Sequence, residues 1–189
     1  FNPYFLTAFH CIDTDDNNSI SGSEISDAEN WMFKFQYKVS SCKGNTLIPS
    51  VTYNGADFKA AWQSSDFALM EMDDSPVDDA TRHSWFSWLG WDRSGNTPSS
   101  GTIIHHPKGN VMKISFDYNS LTSYNNTHWS VTIDSGAIEK GSSGAPLFDQ
   151  NKIELSDNYI VEFQVVPQQH AILVNSVVPG QAEVQIQPV

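Results

Sequence analysis

Apolar and polar side chains alternate along several short stretches of this chain, as they do in half-buried β-strands. Three stretches show the pattern: Phe33–Val39, Met112–Phe116 and Trp129–Ile133. Turn-forming residues such as Asn-Gly, Ser-Gly and Gly-Asn recur between these stretches. One short helix is predicted over Ser23–Glu29, with Ser23 as its N-cap. Short strands at regular intervals indicate an all-β protein built as a barrel or a sandwich.

One polar, proline-containing stretch divides the chain, the sequence DDSPVDD at residues 73–79. Such a composition is typical of a linker. We therefore expect a first domain at residues 1–77 and a second at residues 78–152. Residues 153–189 form a β-rich tail of uncertain assignment, with strands expected at Val161–Val166 and Ala171–Val178.

The net charge of the 189-residue chain is −12. An acidic surface disfavours nucleic acid as a partner and attracts cationic substrates by long-range steering. No apolar run approaches the ~18 residues that a membrane helix needs. We expect a monomer, without a nucleic-acid partner and without a membrane span.

Three segments each place one reactive residue in a distinctive setting: His10 in LTAFHC, Asp66 in SDFALM and Ser143 in GSSGAP. A serine hydroxyl is a weak nucleophile on its own, and a histidine can take its proton. A buried aspartate can fix the tautomer of that histidine and stabilise the imidazolium. Together the three residues predict a site for nucleophilic acyl transfer, in the chain order His, Asp, Ser.

These motifs resemble those of the trypsin-like serine endopeptidases, and within them the bacterial lysyl endopeptidase branch. Leu6–Cys11 matches the family pattern L-T-A-x-H-C, and Gly141–Pro146 is closer to G-S-S-G-S-P of the lysyl branch than to G-D-S-G-G-P. Gly90–Arg93, Ile104–Pro107 and Lys113–Ser115 are similar to the lysyl branch as well. The resemblance covers roughly residues 4 to 148.

The resemblance implies a chymotrypsin-like fold, a double six-stranded barrel, here short of its N-terminal strands and divergent after about residue 152. The chain is then expected to be a fragment or a trimmed product. His10, Asp66 and Ser143 would be the catalytic triad, and the N–H groups of Gly141 and Ser143 would form the oxyanion hole. No cofactor is expected for catalysis.

Substrate preference and compartment also follow from the resemblance. Glu139 is similar to a glutamate that the lysyl branch carries beside its specificity pocket, which implies cleavage after lysine or another basic residue. The main specificity aspartate of the branch lies after the serine, where Asp157 is the only nearby candidate. Cys11 and Cys42 could be two unpaired thiols or one bridge. The lysyl branch has a similar bridge, which implies a Cys11–Cys42 disulfide and a secreted, extracellular bacterial protein.

A second pattern lies directly after the histidine. The twelve residues from Asp13 to Glu24 fit the calcium loop of EF-hands, and the alternative is a polar surface loop. The expected oxygen ligands stand at alternate positions and at position 12: Asp13, Asp15, Asn17, Ser19, Ser21 and Glu24. Asn18 occupies the usual glycine position, and asparagine tolerates left-handed backbone. The role of calcium here would be structural.

The pair His105-His106 could suggest a metal, but adjacent residues on a strand point to opposite faces and rarely share one ion. We expect both histidines to be structural. The leading hypothesis is a secreted serine endopeptidase. The alternatives are a non-catalytic or truncated protease-like domain that serves as a binding or surface module, and a calcium-stabilised adhesive β domain.

Overall fold

The computed structural model describes residues 2–78, 89, 91–92, 94–151, 154–155, 172–175 and 183–187. Its one described α-helix is α1 (Gly22–Glu29). The described strands, in chain order, are β1 (Tyr4–Ala8), β2 (Met32–Phe35), β3 (Val51–Asn54), β4 (Ala56–Trp62), β5 (Phe67–Met72), β6 (Trp91–Asp92), β7 (Gly101–His105), β8 (Lys113–Asp117), β9 (Thr122–Tyr124), β10 (His128–Ser130), β11 (Leu147–Phe148), β12 (Glu154–Leu155), β13 (Ile172–Asn175) and β14 (Glu183–Gln187).

The predicted all-β class is confirmed. The described strands form sheets in the orders β1-β5-β4, β6-β12-β11-β7-β8, β13-β14-β2-β3 and β9-β10. Among these strands no sheet closes into a barrel. Most neighbours pair antiparallel, which suits short strands joined by tight turns.

Two hydrophobic clusters hold the described residues together, one on each side of the predicted linker. In the first cluster, Phe5 and Phe33 meet edge to face with ring centroids 5.0 Å apart, and Met70 is fully buried. The second cluster gathers around Ile103, Leu147 and neighbouring residues of the later strands. The domain boundaries at residues 77 and 152 stay predictions.

The helix was predicted with the wrong cap. It begins at Gly22, and Ser21 rather than Ser23 is the N-cap. The hydroxyl of Ser21 accepts from the Glu24 N–H at 3.3 Å, and the Glu24 carboxylate accepts from the Ser21 N–H at 2.8 Å. This reciprocal pair is the capping box encoded by Ser-x-x-Glu, which satisfies two N–H groups that the helix itself cannot.

The alternating stretch Phe33–Val39 is only partly a strand, because β2 ends at Phe35. Gln36 is buried and has a φ of +64°, a conformation that stops the extended backbone. Alternation alone therefore overestimates the length of this strand. The period of two continues in the sequence past Gln36, whose backbone leaves the β region.

Part of the tail joins the first half of the chain. Strand β14 pairs antiparallel with β2, from Val184 opposite Phe35 to Gln187 opposite Met32, and β13 pairs with β14. The expected strand over 171–178 is described at Ile172–Asn175. The expected strand over 161–166 lies outside the described residues.

The predicted disulfide is wrong for this structure, in which Cys11 and Cys42 are both free. Cys11 is buried in the first hydrophobic cluster, whereas Cys42 lies in an exposed turn. The two thiols occupy environments that differ in solvent access. A bridge requires two Cβ atoms about 3.5–4.5 Å apart, and sequence spacing does not specify that geometry.

Candidate active site

The register of two strands brings His10 and Asp66 together. Ala8, the last residue of β1, pairs with Phe67, the first residue of β5. Because the strands are antiparallel, the residues that follow Ala8 and those that precede Phe67 leave the sheet at the same end. His10 lies there in a 3₁₀ turn over Phe9–Cys11.

Asp66 holds the histidine through both of its carboxylate oxygens. The main-chain N–H of His10 donates to Oδ1 at 2.9 Å, and Nδ1 of the ring lies 2.7 Å from Oδ2. The carbonyl of Asp66 also accepts from the Phe9 N–H at 2.9 Å. Asp66 adopts left-handed backbone, with a φ of 52°, which aspartate tolerates better than most residues. The side chain of Asp66 is 16% exposed and that of His10 is 48% exposed.

The surroundings of His10 change its proton affinity. Burial by itself lowers the pKa of His10, but hydrogen bonds with Asp66 and Cys11 and the nearby charges outweigh burial and raise this pKa. Burial in turn raises the pKa of the Cys11 thiol, which favours its protonated form. Since the thiolate is the reactive form of cysteine, Cys11 is not poised as a nucleophile.

Ser143 lies on a turn that two glycines shape. Gly141 has a φ of +87° and Gly144 a φ of +76°, values that side chains rarely allow. A Cβ on Gly141 would also lie 3.3 Å from the N atoms of Lys108 and Gly109. Ser143 itself is half-buried. The turn therefore depends on glycine for both its conformation and its close packing.

The main-chain N–H groups of this turn divide into two kinds. Ser142 donates to the Glu139 carbonyl at 3.1 Å, and Ala145 donates to the Ser142 carbonyl at 3.2 Å. Within the described part of the chain, the N–H groups of Gly141 and Ser143 donate to no acceptor. N–H groups without an acceptor in the protein can bind an oxygen from outside it, as the N–H groups of an oxyanion hole do.

The structure brings two of the three predicted triad residues into contact. His10 and Asp66 meet directly, but no hydrogen bond among the described residues joins Ser143 to His10. In proteins without substrate such a bond is often long and shortens only when substrate binds.

Glu139 is engaged by a lysine of the same chain. Its carboxylate makes an ion pair with Nζ of Lys108. Both side chains are substantially exposed, and such pairs stabilise a fold by ~0–1 kcal/mol. Asp157 lies outside the described residues.

The acidic loop brings carboxylate oxygens of Asp13, Asp15 and Glu24 within 4.8 Å of one another. Asn18 has a φ of +65°, as the glycine position of a calcium loop requires. Two further predicted ligands, Asn17 and Ser21, make hydrogen bonds with these acids, while Ser19 is exposed.

The carboxylate of Glu24 is already well supplied with donors. It accepts from the N–H groups of Ser21 and Thr14 at 2.8 and 2.7 Å, and the Ser21 bond is the main cause that lowers the pKa of Glu24 to about 2. Burial raises the pKa of Asp13, and the hydrogen bonds that its carboxylate accepts from the Asn18 and Asn17 N–H groups offset only part of this rise. Oxygen ligands of this kind suit Ca²⁺, and calcium binding stays a prediction.

His105 and His106 are both fully buried. Nδ1 of His106 lies 2.7 Å from the Asn110 carbonyl, and its ring stacks on Tyr37. His105 contacts Ser142, the residue next to the predicted nucleophile. This contact cannot be predicted from sequence, because the two residues are 37 positions apart and no motif joins them.

Residues 1–159 match the family model of the lysyl endopeptidase C-terminal domain. The chain belongs to this lysyl endopeptidase family. It is therefore a protease-like domain of the trypsin and lysyl endopeptidase type. The resemblance inferred from the histidine and serine motifs is confirmed.

Solved structures of two proteases are similar to this lysyl endopeptidase domain. The MamO protease domain from Magnetospirillum magneticum has a TM-score of 0.40 and 12% identity, with 99% of this chain and 79% of that chain covered. The active form of Rv3671c protease from M. tuberculosis has a TM-score of 0.39 and 11% identity, with 87% and 81% covered. Among the described residues, no helix is long and apolar enough to cross a membrane.

Proposed function

We propose that this domain is a secreted serine endopeptidase that cleaves peptide bonds through an acyl-enzyme. The observation that carries the proposal is the pair of hydrogen bonds that the Asp66 carboxylate accepts from the main-chain N–H and from Nδ1 of His10. A carboxylate bound to Nδ1 leaves Nε2 as the ring nitrogen that can exchange protons with a substrate. This arrangement is what a histidine general base requires.

In the proposed reaction, Oγ of Ser143 attacks the carbonyl carbon of the scissile peptide bond while Nε2 of His10 takes the hydroxyl proton. The negative charge that develops on the carbonyl oxygen is bound by the N–H groups of Gly141 and Ser143. The C–N bond then breaks, and the proton on His10 passes to the leaving amine. A water molecule hydrolyses the ester on Ser143 by the same proton transfers in reverse.

The raised pKa of His10 bears on this reaction. Only the neutral imidazole can accept the proton of Ser143. Because the pKa of His10 lies above its usual value, the neutral imidazole becomes populated only at higher pH, and the reaction should require that higher pH. The same observation favours the alternative function, a non-catalytic binding module, because a protonated His10 cannot act as a base.

A fluorophosphonate probe separates the two functions, since it labels only a serine that a base has activated. We expect the wild-type protein to be labelled and Ser143→Ala to remain unlabelled. Ser123→Ala, which removes an exposed hydroxyl on β9, is the matched control and should be labelled normally. A folded wild-type protein that is not labelled even at alkaline pH would favour the binding module.

We further propose cleavage after basic residues, with Glu139 in contact with the substrate cation. The proposal is supported by the net charge of −12 and by the weak pairing of Glu139 with the exposed Lys108. Loss of a charged hydrogen bond in Glu139→Gln should lower kcat/KM for lysine peptides by ~10–100-fold. For peptides with norleucine in place of lysine, kcat/KM should be the same in Glu139→Gln as in the wild type.

The control for this experiment is Lys108→Met, which frees Glu139 without removing its charge. We expect kcat/KM for lysine peptides to stay equal or to rise in this variant. Equal losses in Glu139→Gln for lysine and norleucine peptides would contradict a role of Glu139 in specificity.

A further inference from the structure

A buried chain of hydrogen bonds begins at the residue next to Ser143. Oγ of Ser142 lies 2.7 Å from Nδ1 of His105, and Nε2 of His105 lies 3.0 Å from Oγ of Ser115. Oγ of Ser115 in turn donates to the Ala137 carbonyl at 3.2 Å. Ser142, His105 and Ser115 are each at most 1% exposed. When buried polar groups are all hydrogen-bonded, they make the surrounding structure rigid and favour a single arrangement of it.

The last acceptor determines the direction of every bond in the chain. The carbonyl of Ala137 can only accept, so Ser115 donates to it. Oγ of Ser115 then accepts from Nε2–H of His105, which leaves Nδ1 of the neutral ring as an acceptor for the Ser142 hydroxyl. Burial and the neighbouring His106 lower the pKa of His105 to about 4, although the charge of Glu139 by itself would raise this pKa. A neutral ring at pH 7 agrees with this direction.

The two residues of the first bond in this series, Ser142 and His105, lie in different surroundings. His105 is the last residue of β7, which pairs with β8 on one side and β11 on the other. Ser142 is the middle residue of the turn whose N–H groups at positions 141 and 143 have no acceptor within the described residues. The histidine thus ties this turn to a hydrogen-bonded sheet.

A main-chain contact supports the same turn from beside it. The N–H of Lys108 donates to the Lys140 carbonyl at 2.6 Å, and the loop after His106 approaches Gly141 closely. This contact reaches the turn before Gly141. The Ser142 hydroxyl, which lies between the two N–H groups in sequence, bonds the turn to His105 of strand β7.

We propose that Ser142 and His105 are positioning residues, which hold the turn so that the N–H groups of Gly141 and Ser143 stay free to bind the carbonyl oxygen of the substrate. The inference rests on the proposed function. Neither residue would touch substrate. Their loss should weaken binding of the transition state, in which the oxygen is negatively charged, more than binding of the ground state.

The test compares Ser142→Ala with Ser115→Ala. Each substitution removes one hydroxyl from the same buried chain, but only the first is in the turn. One oxyanion donor contributes ~10²–10³-fold to kcat, so a donor that is displaced rather than lost should cost ~10–100-fold. We expect this loss of kcat in Ser142→Ala with KM almost unchanged. In Ser115→Ala the Ser142 hydroxyl can still bond Nδ1 of His105 in either tautomer, as donor or as acceptor, so kcat should stay near wild type with a comparable loss of thermal stability.

A peptide boronic acid provides a second measurement, because its tetrahedral adduct with serine places an oxygen where the substrate oxyanion would lie. Its affinity should fall in Ser142→Ala in parallel with kcat, and should be kept in Ser115→Ala. Equal kcat in wild type and Ser142→Ala would overturn the proposal. An equal loss in both variants would also overturn it, since the effect would then follow stability rather than position.

Hydrogen exchange of the Ser142 and Ala145 amides, which donate to the Glu139 and Ser142 carbonyls and so are protected while the turn is closed, tests positioning without any activity. We expect exchange at both amides to be at least ~10-fold faster in Ser142→Ala than in Ser115→Ala, because the turn opens locally. If the wild type is not labelled by the fluorophosphonate, the proposed function fails, and the exchange rates still decide whether His105 and Ser142 hold the turn. Equal exchange in both variants would refute it.

Discussion

Replacement of Asp66 by asparagine tests the contact on which the proposed function depends. Asparagine has the same shape, and its side-chain oxygen can still accept from the His10 N–H, which lies 2.9 Å from Oδ1 of Asp66. The second oxygen, 2.7 Å from Nδ1, is replaced by an amide nitrogen that donates. Nδ1 must then become an acceptor, so the ring proton moves to Nε2. A histidine in that tautomer cannot take a proton from Ser143.

The expected loss is large because the wrong tautomer removes the base while the rest of the site stays in place. An Asp-to-Asn change at such a position lowers kcat by ~10⁴-fold. KM should change little, since Asp66 is mostly covered by the protein and is not expected to contact substrate. The fold should persist in Asp66→Asn, because the His10 and Phe9 N–H groups keep their acceptors at this position.

The pH dependence of the residual rate gives the sign of the electrostatic effect. Hydrogen bonding to the Asp66 carboxylate helps to raise the pKa of His10, and the catalytic form of His10 is the neutral one. The pKa of His10 is raised to about 11, so the wild-type rate should still be increasing with pH in the alkaline range. In Asp66→Asn the pKa of His10 falls, so the acid limb of the profile should move to lower pH.

Rates of fluorophosphonate labelling and of lysine-peptide hydrolysis, measured from about pH 5 to pH 10, check both expectations. Asp57→Asn is the matched control, because Asp57 is on β4 of the same sheet and its exposed carboxylate pairs with Lys59 rather than with a histidine. Its rate should stay within about twofold of wild type. Labelling of Asp66→Asn as fast as that of the wild type would refute the role of Asp66.

Three further predictions concern stability and reactivity. Calcium should raise the melting temperature of the wild type and not that of Asp15→Asn, because an ion bound only to the folded state stabilises that state. An equal melting temperature of the wild type with calcium and with EDTA would contradict the calcium site. Gly136→Ala should lower the free energy of unfolding by ~2–4 kcal/mol in urea, because Gly136 has a φ of +92° and its Cβ would lie 2.8 Å from a carbonyl oxygen. Gly95→Ala, with a φ of +71° and open space around it, should cost only ~1 kcal/mol. Cys42 should react with a thiol reagent in the native protein and Cys11 only after unfolding, and reaction of neither thiol in the native state would contradict the exposure of Cys42.

Local signals in the sequence were sufficient where one short segment contains the whole cause. The all-β class follows from residues that alternate over a few positions, and the left-handed Asn18 follows from its place in a twelve-residue loop. The family follows from the motifs around His10 and Ser143. The helix cap could also have been predicted, because Ser21 and Glu24 have the spacing of a capping box.

Other features depend on residues that are distant in sequence, and here the expectations were incomplete or wrong. The expected Cys11–Cys42 bridge is not formed in the structure. Packing buries Cys11 and leaves Cys42 exposed, and the sequence around each cysteine does not specify this difference. The partner of Ser142 was not expected, since a strand thirty-seven positions earlier supplies His105. The sequence does not assign the tail to either half of the chain, whereas in the structure β14 of the tail pairs with β2.

The sequence by itself therefore determined which reactive residues this domain has and which family it belongs to. Only the tertiary structure decided that Asp66 reaches His10 across the paired ends of β1 and β5, that Glu139 is held by Lys108, and that His105 lies behind the turn of Ser143. The physical reason is that side-chain type is a property of single positions. Distance, burial and the direction of a hydrogen bond arise only when strands pair and exclude water.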